Sequence, residues 1–322
     1  MKKIIKVITV FILVLTVSCT NSKNEKLTKG KISSNSKALT HGFILLENNC
    51  FSCHNVDPKA KNKVAPDMKS VKETYLKNGE SLEEFTRILT SHVQNPSEEN
   101  SKMPEAIQQF GLMPKMLFTD SQLKDVATYL FETNIEDGNW YENQYPNERK
   151  KHLAKANKNI SPKEKGLEYA LKTKSILGKN LLGAIKTKGT IGALSFCNEN
   201  AFHLTDSVAS QIDGVKIKRV SDLYRNPVNK ANVNELTYIE NTKTLLVHGK
   251  KITPQIQEID GDMVGYYPIT INKMCLQCHG KLTVEIEPNT YSKIKELYPN
   301  DLAVGYSTDE LRGIWVVTMP KE

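Results

Sequence analysis

The sequence predicts two domains, an all-α domain followed by an α/β domain in which a long helix leads into an antiparallel sheet. Three observations carry this. Apolar residues recur at helical spacing in 38–48, 81–93 and 120–132. A polar, charged stretch, 136–165, then interrupts the pattern. A mostly helical run over 175–211 gives way after Gly214 to short β-type segments, VKIKRV, TLLVHGKKITPQIQEI, MVGYYPITI and GIWVVTMP.

The chain has 322 residues, 39% of them hydrophobic and 25% charged, which suffices for two ordinary cores. In 120–132, Asp120 or Ser121 is the expected N-cap, with Leu123, Val126, Ala127 and Leu130 on one face. The run Arg149-Lys150-Lys151-His152 in the polar stretch is read as solvated. The halves share no repeat beyond one short motif, so they are not duplicates. The formal charge is +8, but Lys2, Lys3 and Lys6 lie in an apparent leader. The remaining basic excess points to no nucleic acid.

That leader, MKKIIKVITVFILVLTVSC, joins a basic head to an apolar run ending at Val17-Ser18-Cys19, too short to span a membrane. It resembles a bacterial lipoprotein signal, although Thr16 stands where the pattern wants Leu. The resemblance implies removal of 1–18, lipid on Cys19, a tether over 19–37, and an exported protein anchored to a bacterial membrane and facing the periplasm. The polar composition of TNSKNEKLTKGKISSNSK suits such a tether.

Four of the six cysteines fall in CFSCH (Cys50, Cys53, His54) and CLQCH (Cys275, Cys278, His279). C-x-x-C-H is the attachment signature of haem c: two thiols bond the porphyrin's vinyl groups, and the next residue's imidazole ligates iron through Nε2. Two covalently attached haems c are expected. A Cys₄ zinc site leaves the two histidines unexplained, and nothing thioredoxin-like surrounds either pair. Cys197 is then the one cysteine left over once Cys19 and the four thioethers are assigned.

Residues 38–135 resemble class I cytochrome c. Gly42, eight residues before Cys50, stands where that family's first and last helices cross closely, with Leu46 inward and Tyr129 as the matching aromatic. Pro66, twelve residues after His54, stands where the family's proline carbonyl accepts the Nδ1–H of the iron-bound histidine. The resemblance implies a methionine as sixth ligand. Met113-Pro114 keeps the family's spacing to Tyr129, sixteen residues, whereas Met103-Pro104 is twenty-six away. Met113 is preferred, with Met103 the alternative and Met116 behind both. His41 and His92 are also eligible but are read as surface histidines.

Residues 166–322 resemble the Tll0287-like haem domain, a PAS-like α/β module with one haem. The resemblance rests on Cys197 with Ala201, on KIKRVSDLYRNPVN, on YYPITINKMCLQCHG, and on LYPNDLAVGYSTDELRGIWVV. It implies a thiolate from the long helix as the ligand opposite His279, the place of Cys197. Independently, steps of three or four from Cys197 meet Gly189, Ala193 and Ala201, small residues that leave room for a flat porphyrin. The residues alone leave open that Cys197 is simply a small buried apolar group. His203, the alternative ligand, lies about 240° around the helix and cannot share that face. Arg219 and Arg225 are candidate partners of haem propionates.

The function expected is a membrane-tethered dihaem electron carrier, with a high-potential His/Met haem and a low-potential His/Cys haem, exchanging electrons with redox partner proteins. The alternative is a redox or gas sensor in which a departing thiolate admits a diatomic ligand. A dihaem peroxidase ranks third, since no acid/base constellation is visible.

Overall fold

The computed structural model describes residues 35–321 apart from 58, 62, 138 and 156–159. The leader, Cys19 and most of the 19–37 tether lie outside the described residues. Among those described, no helix is long and apolar enough to cross a membrane.

The first domain is helical. A helix over 35–45 (α1) widens into a π turn, Leu46–Cys50, that delivers the first attachment cysteine. Then come α2 (Met68–Tyr75), α3 (Leu82–Gln94), α4 (Pro104–Phe110) and α5 (Asp120–Glu132). Helix α5 is capped by a reciprocal Thr119–Gln122 box, one residue earlier than expected. At the α1–α5 crossing, a Cβ on Gly42 would sit 2.6 Å from the Asp125 carbonyl carbon and 3.1 Å from Tyr129 Cβ, so only hydrogen fits.

The polar stretch expected to link the domains is largely folded. A π turn at Trp140–Gln144 runs into α6 (Tyr145–Ala154), and Trp140 and His152 are buried. His152 stacks on Phe43 at 4.9 Å, and its Nδ1 and Nε2 meet Thr40 Oγ1 and Glu148 Oε2. The run around His152 is therefore not simply solvated: one side of α6 closes the first domain.

Helix α7 (Pro162–Ala209) starts with a Ser161–Glu164 box and proline in the first turn. It is two helical segments meeting at Gly189, whose φ of 67° and ψ of −178° are essentially restricted to glycine. The small-residue face of Ala193, Cys197 and Ala201 thus begins just past the break, and Gly189 is the break itself rather than a helical member of that face. Thr190 Oγ1, just past the break, bonds Gln277 Oε1 at 2.6 Å.

Four strands follow, β1 (Lys216–Val220), β2 (Gln255–Ile259), β3 (Asp262–Thr270) and β4 (Leu311–Pro320), in the order β1-β4-β3-β2 and all antiparallel. Helices α8 (Val233–Val247), α9 (Lys273–His279) and α10 (Pro288–Leu297) complete the domain. The expected strand character of TLLV is wrong, because it forms the last turn of α8. Alternate residues of β4 face different layers. Trp315, Val317 and Met319 join the core that α7 helps to close, while Ile314 and Val316 join Tyr238 and Ile239 of α8. A strand covered on both faces reads as the unbroken apolar run GIWVVTM.

One core runs through both halves, from Phe43 and Tyr129 through Leu167 and Leu171 to Trp315 and Val317. His41 clamps the same junction: Nδ1 is 2.7 Å from Asp125 of α5, and Nε2 is 3.3 Å from Glu168 of α7. Asp125 first, then Glu168, raise its pKa from 6.5 to about 9. A raised histidine pKa adds stability that is complete below 6.5 and is lost as pH rises through about 9. Thermal melts of wild type and His41→Gln should therefore differ most below pH 6.5 and converge above pH 9. A gap that widens with pH would contradict this.

Candidate haem sites

Both attachment motifs open on one continuous, mostly apolar chamber, a cavity of about 460 Å³ before it merges with open solvent. Its lining includes all four motif cysteines, His54, His279, Met103, Met113 and Cys197.

At the first motif, His54 N–H and Cys53 N–H both return to the Cys50 carbonyl, at 2.8 and 3.1 Å. This tight turn presents two thiols and an imidazole to the same side. His54 Nδ1–H donates to Pro66 O at 2.8 Å, the contact the sequence led us to expect. Burial, only partly offset by that carbonyl, lowers the pKa of His54, so the ring is neutral with Nε2 free to coordinate. Met103, Met113 and Met116 all line the chamber; Met116 is 7% exposed and packed in the core, and Met103 and Met113 are only partly buried. His92 is no surface histidine. It lines the chamber, with Nδ1 3.1 Å from Asn100 Oδ1. His41 is committed to the α5–α7 clamp.

The second motif occupies α9, whose N-cap Asn272 accepts from Cys275 N. His279 Nδ1–H donates to Ala303 O at 2.7 Å, so the two imidazoles are held by the same device on unrelated folds. Burial, then Arg312 and Arg225, push its pKa well below the usual value. Cys197 lines the chamber on the second segment of α7. Burial raises its thiol pKa, and Arg219 and Arg225 pull it back down. His203 is exposed and does not line the chamber.

Arg219 is half-buried, 5.4 Å over the ring of Trp315, its partner across the β1–β4 ladder. No carboxylate lies within ion-pair distance of it among the described residues. A half-buried guanidinium with no anion beside it suits a carboxylate arriving with a ligand. Arg225 is differently placed. Its Nε and Nη2 grip Asp301 at 3.1 and 3.2 Å, and Nη2 also donates to the Cys278 carbonyl at 2.6 Å. Most of its fork therefore pins the 301–303 loop to the motif rather than reaching into the chamber.

Arg312 escaped the sequence reading. Ile269 pairs with Gly313 and Thr270 with Leu311, so Arg312 is the extra residue of a β-bulge. The bulge turns its side chain inward: Nη1 donates to Ser221 Oγ and Leu223 O, and Nε lies 3.3 Å from His279 Nδ1. That nitrogen already donates to Ala303, so the 3.3 Å approach is charge against ring rather than a hydrogen bond. The available signal was Gly313 at the head of an apolar strand, where glycine marks bulges.

These features suit covalent haem. Among the described residues, no group of three or more His, Cys, Asp or Glu side chains is placed to hold a metal ion, so the four thiols do not form a zinc cluster. Burial pushes Cys50 up to about 12 and Cys278 up to about 11, the opposite of an activated redox dithiol.

The comparisons with known proteins agree with the two halves. The cytochrome c family matches residues 40–134, and the Tll0287-like family matches residues 115–320. The second match begins well before residue 166, taking in α5, α6 and the stretch expected to be a linker. The crystal structure of the cyanobacterial heme-protein Tll0287 is similar at 21% identity, over 51% of this chain and 98% of its own, with a TM-score of 0.39. No curated protein matches. With the Tll0287-like match spanning well over half of its length and a cytochrome c domain ahead of it, the chain belongs to the Tll0287-like family and is a haem c cytochrome.

Proposed function

We propose that the protein is a dihaem c-type cytochrome that carries electrons between redox partner proteins, anchored by lipid on Cys19 to a bacterial membrane and facing the periplasm. The observation that carries this reading is the paired construction of the sites. Each C-x-x-C-H segment offers two thiols and a neutral histidine whose Nδ1 is fixed by a main-chain carbonyl, at 2.8 Å for His54 and 2.7 Å for His279.

Bound haem would supply reversible one-electron chemistry at iron. The chain's part is to bind, orient and tune. Cys50 and Cys53 would hold one porphyrin, Cys275 and Cys278 the other. Pro66 and Ala303 fix the ring planes of His54 and His279 and strengthen both as donors. Met113, with Met103 as alternative, would supply the second protein ligand at the first site, and Cys197 the second at the other. A neutral thioether leaves iron at higher potential than an anionic thiolate does. Arg219 is assigned to a propionate. The mostly apolar lining of the chamber would lower the polarity around bound haem.

The test is the haem content and redox titration of the mature protein. The denatured chain should keep two haems, by mass and by its pyridine haemochrome band, and potentiometry should resolve two well-separated one-electron steps. One retained haem, or two overlapping high-potential steps, would defeat the assignment.

A further inference from the structure

Two adjacent residues of α7 reach the two attachment motifs. Ser175 is buried, and its Oγ donates to Asn49 O at 2.5 Å and meets Ser52 Oγ, which places it against the first motif on both sides of Cys50. Lys174 reaches the other way. Its Nζ donates to Lys115 O at 2.5 Å and interacts electrostatically with Cys275 of the second motif. Lys115 closely follows Met113-Pro114, and its own ammonium pairs with Asp309 at 3.1 Å. Asp309 N–H donates to Ile271 O, next to the Asn272 cap of Cys275. The loop carrying Met113, one turn of α7 and the lead-in to the second motif therefore touch in sequence, and all border the same chamber. Within this contact Lys174 has no carboxylate partner among the described residues, so its charge stands uncompensated in the wall between the sites.

We propose that this seam at Lys174 and Ser175 is the junction through which an electron passes directly between the two haem sites, and that Lys174 is the positioning residue that holds it closed. The proposal rests on the two-haem reading above. The step moves one electron and nothing else. Ferrous iron at the thiolate site becomes ferric as ferric iron at the thioether site becomes ferrous. A reducing and an oxidising redox protein reset the two ends. Lys174 acts twice. Its bond to Lys115 O ties the Met113 loop to the second domain, and its charge favours the extra electron on either side.

Pulse radiolysis of the full chain carrying both haems tests this, with less than one electron injected per molecule and each haem followed at its own wavelengths. The electron should redistribute in a first-order phase whose rate does not change on dilution. Lys174→Met should slow that phase roughly tenfold or more, because small displacements of reacting centres are costly, and should lower both potentials; Lys174→Arg should keep both near wild type. If Lys174→Met does not fold, Asp309→Asn, which cuts the Lys115 pair from the surface, should slow the phase in the same direction. A rate that scales with protein concentration, in a chain holding two haems, overturns the junction. An unchanged rate and unchanged potentials in folded Lys174→Met overturn the part given to the lysine. A chain with fewer than two haems defeats the functional reading instead.

Discussion

Gly42→Ala is expected to destabilise the protein by about 1–3 kcal/mol, the usual cost of forcing extra atoms into a filled space, and Gly42→Val by more. The obstacle is backbone. The added Cβ meets the Asp125 carbonyl, which cannot rotate aside as a side chain would, so α1 and α5 must separate. Separation moves Asp125 away from His41 and shifts the π turn at Leu46–Cys50. Loss of stability should thus come with poorer incorporation of the first haem. Gly183→Ala is the control. It lies in α7 with nothing within 4 Å of the new methyl, so the exchange should be neutral or stabilise by up to about 1 kcal/mol. Denaturant midpoints and haem content measured together check both. Equal midpoints for Gly42→Ala and Gly183→Ala would show that the α1–α5 crossing is not close.

On the proposed assignment, Cys197→Ala should leave the haem of the second motif attached through Cys275 and Cys278 but remove its thiolate ligand. Low-temperature electron paramagnetic resonance of the oxidised protein should lose a low-spin thiolate signal, with the first haem's signal intact. Cys197→Met should raise the second potential by on the order of a few hundred millivolts, within the roughly 0.8 V range that axial ligands command. Burial raises the Cys197 thiol pKa, and Arg219 and Arg225 oppose that rise, so both guanidiniums stand where they would stabilise an iron-bound thiolate. A low-spin thiolate signal that survives in Cys197→Ala would place the sulfur elsewhere.

The first domain was legible because its constraints are local. The C-x-x-C-H turn and Pro66 at a fixed interval act through a few residues at known spacing, and Gly42, whose partner Asp125 is far along the chain, was legible only through the family resemblance. The second domain was legible as a layer order, with limits. The last turn of α8, Thr244–Val247, read as part of a strand because Thr and Val favour strands, although the Asn232–Glu235 box announced a helix start upstream. The stretch 136–165 was misread because composition averages over a helix whose single buried side, Trp140 to His152, is diluted by exposed charge. The break at Gly189 and the bulge at Arg312 depend on contacts with chain far away, through Gln277 for one and Ser221 for the other. Local propensity holds no record of such partners.

The core shared between Phe43 and Val317 also changes what the two domains are to each other. Carriers joined by a flexible tether find each other through an effective concentration that linker length sets. Here that search is over once the chain has folded. The spacing of the two sites is fixed in covalent and packed structure, so it should respond to mutations that thin the core and be indifferent to crowding or ionic strength.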